Sequence, residues 1–270
     1  MTRTMLSIAT AVLLAALLYL GSFSWWLESR VMESETFVDS TVVALELETS
    51  RLAIGQLITD QLVDEFPLFI ILESNLVDMF ADLLGVDALE DVVRFVGVEV
   101  HERIVTGNQD AIVIDLLDYR DIVLGPVEAV APRLAELVPD EWFLSVEVLG
   151  EGALPDLSLY ERWNDLLRFG SLAGAFVLAM VVFWLAKRRG MAFTLIGIAL
   201  MLAGVASAVL VPAGRWLTLA RLEDPSVETI VSNTYSQFTG ALVITALALV
   251  LSGLAVLAVG VVLWSAEDRA

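Results

Sequence analysis

Three aspartates spaced three residues apart form the tightest carboxylate grouping in this sequence. Asp115, Asp118 and Asp121 carry oxygen atoms of the kind that bind Ca²⁺. The glycine and the ligand order of an EF-hand loop are missing around them, so a solvated acidic edge competes with a metal site. These aspartates are therefore weak candidates for a metal site, and no cofactor site is predicted.

The single histidine does not indicate catalysis. His101 stands beside Glu102 and Arg103 on a predicted helix, and cysteine is absent from the chain. The sequence contains no HExxH motif, no GxSxG nucleophile and no phosphate-binding loop. We therefore expect His101 on the outer face of its helix, solvated or at the edge of a core, and we predict that the protein is not an enzyme.

Negative charge is concentrated in one segment. Residues 28–168 contain 30 acidic and 8 basic residues, whereas the rest of the chain contains 5 acidic and 7 basic ones. Such a surface repels nucleic acid and anionic headgroups, so neither is expected as a partner of this segment. Cations and basic proteins remain candidate partners, and adaptation to high salt also fits the composition.

Apolar runs dominate the remainder of the chain. The sequence is 58% hydrophobic with a mean hydropathy of +0.79, and about 20 apolar residues let a helix cross the hydrocarbon of a bilayer. Four membrane spans are predicted: residues 1–27, 169–186, 191–211 and 240–264. The apolar runs contain no ionisable side chain, counted from Met5 in the first span. This argues against an intramembrane proton relay or ion path.

The turn between the second and third spans fixes the predicted orientation. Lys187, Arg188 and Arg189 lie together there, and basic loops stay in the cytoplasm. Both termini, including the tail 265–270, are then inside, and residues 28–168 form an extracytoplasmic domain of a multi-pass plasma-membrane protein. A cleaved signal peptide is the alternative interpretation of residues 1–27.

The extracytoplasmic domain is predicted to combine helices with a small two-stranded sheet, an α+β arrangement within a mainly α membrane protein. Ser50 can cap a first helix that Pro67 ends. Further helices are predicted over residues 72–84, 87–107 and 157–186. Alternating apolar residues predict strands over 112–117 and 142–148, and the helical connection between them favours a parallel pair.

An amphipathic segment, residues 213–239, separates the third and fourth spans. Pro212 is predicted to end the third span, and Asp224 followed by Pro225 to begin a new helix. Five apolar side chains of this helix form the apolar stripe: Val227, Ile230, Val231, Tyr235 and Phe238. A stripe outside the bilayer needs a protein surface to cover it, and helix 157–167 is the nearest candidate. These five residues are the predicted interaction site.

Small residues at four-residue spacing predict close helix packing within the bilayer. The pairs are Gly170 with Gly174, Ala199 with Ala203, and Ala248 with Ser252. The hydroxyl groups within the spans are expected to donate to nearby backbone carbonyls at low cost. These are the hydroxyls of Thr194, Ser207, Thr245 and Ser252.

The order of these features resembles a family of uncharacterised four-span bacterial membrane proteins, common in actinobacteria. The resemblance is carried by the Glu35-Thr36-Phe37-Val38-Asp39-Ser40 sequence and by residues 107–117, 142–148 and 160–189. Such proteins often carry a Trp and an Asn-Arg pair where this chain has residues 97–106. The resemblance implies one N-terminal span, an extracytoplasmic domain and three closing spans, and it implies no activity.

These observations favour a non-catalytic membrane protein of the cell envelope whose acidic outer domain binds or scaffolds another envelope component. An accessory subunit of a transporter or channel is one alternative, and it would need a polar path between the spans. A hydrolase of the outer surface that uses paired carboxylates, such as Asp115 and Asp118, is the other. The expected partners are the lipid bilayer and an envelope protein.

Overall fold

The computed structural model describes residues 2–83, 87–110, 156–222 and 224–267, and parts of 112–149: residues 112–114, 117, 120, 124–125, 128, 132–136, 139 and 146–149. Nearly all of these residues are helical. The α-helices are α1 (Thr2–Leu27), α2 (Ser34–Glu46), α3 (Glu48–Glu65), α4 (Glu73–Leu83), α5 (Asp87–Thr106), α6 (Pro132–Ala135), α7 (Ser158–Leu185), α8 (Arg189–Leu219) and α9 (Pro225–Glu267). A π-helix over Glu28–Met32 follows α1, and a 3₁₀ helix over Pro67–Leu72 joins α3 to α4.

The chain divides into two compact units. The helical bundle consists of Met1–Val31, Tyr160–Leu217 and Phe238–Ala270. The second unit, here called the head, consists of Met32–Leu159 and Thr218–Gln237.

Four helices are long and apolar enough to cross a membrane, as the sequence predicted. They cover Met5–Met32, Ser158–Leu185, Arg189–Leu219 and Pro225–Glu267, with mean hydropathies of 2.1, 2.1, 2.4 and 2.7. The predicted single helix over 157–186 is confirmed by α7, and only residues 186–188 separate it from α8. The chain is a mainly α, multi-pass membrane protein.

The prediction that Pro212 ends the third span is wrong, because α8 continues through it to Leu219. A proline within a helix removes one backbone donor, and membrane helices tolerate it where neighbouring groups satisfy the freed carbonyl. The predicted start of the next helix is confirmed. The carboxylate of Asp224 accepts the backbone N–H groups of Ser226 at 2.7 Å and of Val227 at 3.2 Å.

Glycines bring α8 and α9 into backbone contact within the bundle. A methyl group added at Gly190 would lie 2.4 Å from the backbone nitrogen of Trp264, and one added at Gly197 would lie 2.7 Å from the carbonyl oxygen of Gly253. The facing pairs are Gly190 with Gly260, Gly197 with Gly253 and Gly204 with Ala246. The helices are therefore antiparallel, with a small residue every seven positions on each. This heptad contact allows an approach that larger side chains would block.

The predicted pairs of small residues have mixed outcomes. Ala199 and Ala203 are buried, as expected. Gly174 also lies at a packed position, because an added Cβ would meet Leu17 of α1 at 2.8 Å. Gly170, Ala248 and Ser252 are exposed on the bundle surface, so their predicted role in packing is wrong. The contact between α8 and α9 is made by small residues spaced seven positions apart. Pairs spaced four positions apart do not reveal it.

Three of the four hydroxyl groups singled out in the spans behave as expected, whereas Ser252 is exposed and makes no such bond with the described residues. Thr194 donates to the carbonyl of Gly190, Ser207 to that of Ala203 and Thr245 to that of Ala241, at 2.9 to 3.1 Å. Each bond connects a residue to the carbonyl four positions earlier. The polar atoms are thus satisfied within their own helix, as hydrocarbon requires.

The head is built around an aromatic core. Phe69 of the 3₁₀ helix and Phe80 of α4 are almost fully buried with Leu62, Leu76 and Leu124. Pro67 ends α3 as predicted, and the helices predicted over 72–84 and 87–107 are confirmed by α4 and α5. Gly107 ends α5 with a φ of 72°, a left-handed conformation that favours glycine.

Two expectations for the head are wrong. Ser50 does not cap α3, which begins at Glu48. The short strands β1 (Ile112–Ile114) and β2 (Val146–Leu149) pair antiparallel, with Val113 opposite Glu147, and not parallel. The connection over residues 115–145 is long enough to return the chain in either direction, so its length does not decide the pairing. With strands this short in the described residues, an α+β class is not supported.

The glycine contact predicts opposite effects for two substitutions in α9. Gly253→Ala places a methyl group 2.7 Å from the carbonyl oxygen of Gly197, and overpacking of this kind should lower the free energy of unfolding by about 1–3 kcal/mol. Gly240→Ala is the matched control, because a methyl group there meets nothing within 4 Å. It should be neutral or stabilise the helix by about 0.5–1 kcal/mol. Thermal unfolding in detergent compares them, and equal stability of the two variants would refute the close contact.

Candidate functional site

A polar cluster joins the end of α1 to α7 in the bundle. Glu28 opens the π-helix after α1, while Asn164 and Arg168 lie one turn apart on the same face of α7. The Glu28 carboxylate accepts a hydrogen bond from the side-chain amide of Asn164 and lies 3.6 Å from the guanidinium of Arg168. Asn164 is buried, with 4% of its surface exposed. The carboxylate thus holds two groups of the neighbouring helix.

Aromatic rings flank the guanidinium of Arg168. Its central carbon lies 4.5 Å from the ring centre of Phe169 and 5.7 Å from that of Trp25. A second carboxylate, that of Asp165, accepts a hydrogen bond from it at 3.0 Å. Only 18% of the Arg168 side chain is exposed. A guanidinium with this much carboxylate and aromatic contact is a fixed structural cation.

A groove of about 320 Å³ opens on the bundle beside this cluster. One wall is formed by the end of α1 and its π-helix, from Leu18 to Arg30, and α9 forms the other with Ala241, Thr245 and Leu249. Trp25 and Trp26 lie between the polar end of the groove and its apolar end at Leu18. The groove therefore has a polar end at Arg30 and an apolar end at Leu18.

Helix α1 is tied to α9 along this groove. The indole N–H of Trp26 donates to the carbonyl oxygen of Phe238 at 2.8 Å. A tryptophan with a bonded N–H and an apolar ring suits the interface between lipid and water. The bond holds the two walls of the groove together at its polar end.

The predicted metal ligands cannot be placed. Asp115, Asp118 and Asp121 lie outside the described residues. In the part of the chain that the structure does describe, no group of three or more His, Asp or Glu side chains is arranged to hold a metal ion.

His101 does not lie on a solvated outer face. It is buried, one ring nitrogen lies 3.0 Å from the carbonyl oxygen of Met32, and its ring centre is 5.2 Å from that of Phe37. The alternative of a histidine at the edge of the core is therefore correct. Helix α5 packs this side against α2, so a face that the sequence pattern placed outside is covered.

The apolar stripe lies on α9, and all five of its residues are half-buried. Its predicted contact with helix 157–167 stays a prediction.

A residue on another face of α9 makes a contact that the sequence did not predict. Asn233 donates through its side-chain nitrogen to the hydroxyl oxygens of Thr49 at 2.9 Å and Ser50 at 2.8 Å. Asn233 stands between Ser232 and Thr234 in the sequence, and no periodic pattern there predicts its contact.

Ser50 holds the corner between α2 and α3. It is fully buried, and its hydroxyl donates to the carbonyl oxygen of Ala44 at 2.6 Å while it accepts from Asn233. Leu47, between the helices, has an extended backbone with ψ of 133°. Within the head, Asn233 therefore fixes the segment Thr218–Gln237 to this corner.

The start of α7 is held by a second corner in the head. The backbone N–H of Leu157 donates to the carbonyl oxygen of Ile104 at 3.0 Å. Asp156 accepts the backbone N–H of Ser158 at 2.9 Å, and hydrogen bonds from Ser158 hold the pKa of the Asp156 carboxyl below its usual value. The end of α5 is thereby joined to the residues that lead into α7.

Comparisons with protein-family models, with characterised proteins and with solved structures find no match to this chain. The four-span architecture therefore rests on the chain's own residues, and the family resemblance seen in the sequence stays a prediction.

The Asn233 contact predicts a local loss of stability. Asn233→Ala removes two hydrogen bonds, each worth about 0.5–1.5 kcal/mol, so the corner of α2 and α3 should open more often. The amides of Ser50 and Arg51, which donate to the carbonyl of Leu47, should exchange with deuterium about tenfold faster. Ser236→Ala is the control, because its hydroxyl bonds only within α9, to Ser232. Unchanged exchange in Asn233→Ala would show that the contact does not hold the corner.

Proposed function

We propose that this chain is a non-catalytic membrane protein of the cell envelope and that residues 28–168 form an extracytoplasmic domain that binds or scaffolds another envelope component. In this proposal both termini are cytoplasmic. The domain is the acidic segment of the sequence, mainly helical with a small strand pair. The proposal includes the resemblance to four-span bacterial membrane proteins with this order of elements.

Charge and span number support the orientation. The turn that contains Lys187, Arg188 and Arg189 is the densest basic sequence in the chain, and basic loops remain on the cytoplasmic side. Four spans return the C-terminus to the side of the N-terminus. The acidic residues then face the outside, where they meet cations and basic proteins.

An exposed apolar segment of the head carries the proposal of a binding role. Leu68, Ile70 and Ile71 of the 3₁₀ helix are 58%, 60% and 82% exposed, whereas Phe69 between them is fully buried. The buried Phe69 anchors the segment in the aromatic core, so the three aliphatic side chains are held outward on a rigid support. Clustered apolar side chains on a water-facing surface mark interaction sites.

Acidic residues on both sides of this segment favour a protein over a membrane as its partner. Asp64 and Glu65 precede it, and Glu73 follows it. Carboxylates on both sides repel anionic headgroups but suit an apolar patch with a basic rim on another protein. A partner of that kind is an envelope component with exposed lysine or arginine.

Photocrosslinking tests this binding role directly. A photoreactive phenylalanine analogue at Ile71, in the full chain in native membranes, should yield one dominant crosslinked envelope protein. Leu68→Asp should abolish the product, because it places a charge in the apolar contact. The analogue at Glu102, an exposed residue of α5, is the control and should give no such product. Identical products from the two positions would contradict the proposal.

A further inference from the structure

We propose that the groove between α1 and α9 binds one zwitterionic phospholipid, with its phosphate at Arg30 and an acyl chain along Leu18 and Leu249. The inference concerns the bundle alone and does not depend on the partner of the head. It rests on which polar groups of the groove are already engaged and which are available.

Most hydrogen-bond donors of the groove are already in use. Ser22 donates to the carbonyl of Tyr19, Ser29 to that of Trp26, and Thr245 to that of Ala241. The indole N–H of Trp26 is bonded to Phe238. These hydroxyl groups therefore present oxygen lone pairs to a ligand, and lone pairs attract a donor such as an ammonium group.

Arg30 is the available cation. It is half-buried in the wall of the groove and forms no ion pair with any residue that the structure describes. The nearby carboxylate of Glu28 is engaged by Asn164 and Arg168. A guanidinium can donate two parallel hydrogen bonds to two oxygens of one phosphate. The phosphodiester of a lipid therefore matches it in charge and shape.

The length of the groove matches one leaflet. Twelve residues separate Arg30 from Leu18, which is roughly 18 Å along a helix, and half of the hydrocarbon core measures about 15 Å. A second groove of about 260 Å³ shares Leu18 and Leu172 with the first and is lined only by apolar side chains. An acyl chain that runs along the first groove from Arg30 towards Leu18 can therefore continue into the second groove and contact only apolar side chains there.

The headgroup assignment follows from the same geometry. An ammonium group suits the hydroxyl oxygen of Ser29, which is next to Arg30, and the ring of Trp25, which is 57% exposed. A phosphoethanolamine headgroup supplies both charges, whereas a phosphatidylglycerol headgroup supplies the phosphate for Arg30 but no ammonium group for the hydroxyl oxygen and the indole ring. The groove thus favours the zwitterionic lipid.

Native mass spectrometry of the full chain in detergent tests the proposal, with phosphatidylethanolamine and phosphatidylglycerol added in turn. The wild-type chain should retain one phosphatidylethanolamine and bind it more tightly than phosphatidylglycerol. Arg30→Gln should weaken retention roughly tenfold or more, because it removes a charge-assisted hydrogen bond to phosphate. Arg162→Gln is the control, since Arg162 is an exposed arginine of α7 outside the groove, and it should bind as the wild type does.

A second variant tests the acyl site with Arg30 intact. Ala241→Phe narrows the apolar wall and should also reduce retention, while glycerophosphoethanolamine, which lacks acyl chains, should not bind measurably. Equal retention by the wild type and Arg30→Gln would overturn the proposal, as would equal affinity for the two lipids. Binding of the chain-free headgroup as tightly as the lipid would also overturn it.

Discussion

Hydrocarbon offers no water to a polar group, and the bundle of this protein is arranged around that constraint. The hydroxyls of Thr194, Ser207 and Thr245 donate to carbonyls of their own helices. Because apolar surface gains little by association in lipid, helices there are held by close packing. The backbone contact of α8 with α9 supplies that packing, through small residues that recur every seven positions on both helices.

Charged groups appear where the apolar runs end, and those of Glu28 and Arg168 are paired. Glu28 follows α1 directly and accepts from Asn164, while Arg168 lies between carboxylates and two aromatic rings. The cluster joins α1 to α7 at the level of Trp25. Arg30 differs from Arg168 because no described side chain neutralises it. Arg30 and the bonded hydroxyl groups beside it line the polar end of the groove, where we place the phosphate of the proposed lipid.

The sequence predicts elements better than it predicts contacts. Apolar length alone defines the four long helices, and Pro67, Gly107 and Asp224 act where their backbone chemistry requires. Pro212 shows the limit, because a membrane helix tolerates a proline that would end a helix in water. Asn233 shows another, because its partners Thr49 and Ser50 are far away in sequence and no periodicity indicates them. The length of the segment that connects the two strands likewise does not predict whether they pair parallel or antiparallel.

The orientation of the bundle is the central claim, and single-cysteine labelling of intact cells tests it most directly. The chain contains no cysteine, so each introduced thiol reports alone. Asp110→Cys lies in the acidic head and Arg188→Cys in the basic turn, and both positions are exposed. The account predicts that a membrane-impermeant maleimide labels the Asp110→Cys variant in intact cells and the Arg188→Cys variant only after permeabilisation. Labelling of both variants in intact cells, or the reverse pattern, would contradict it.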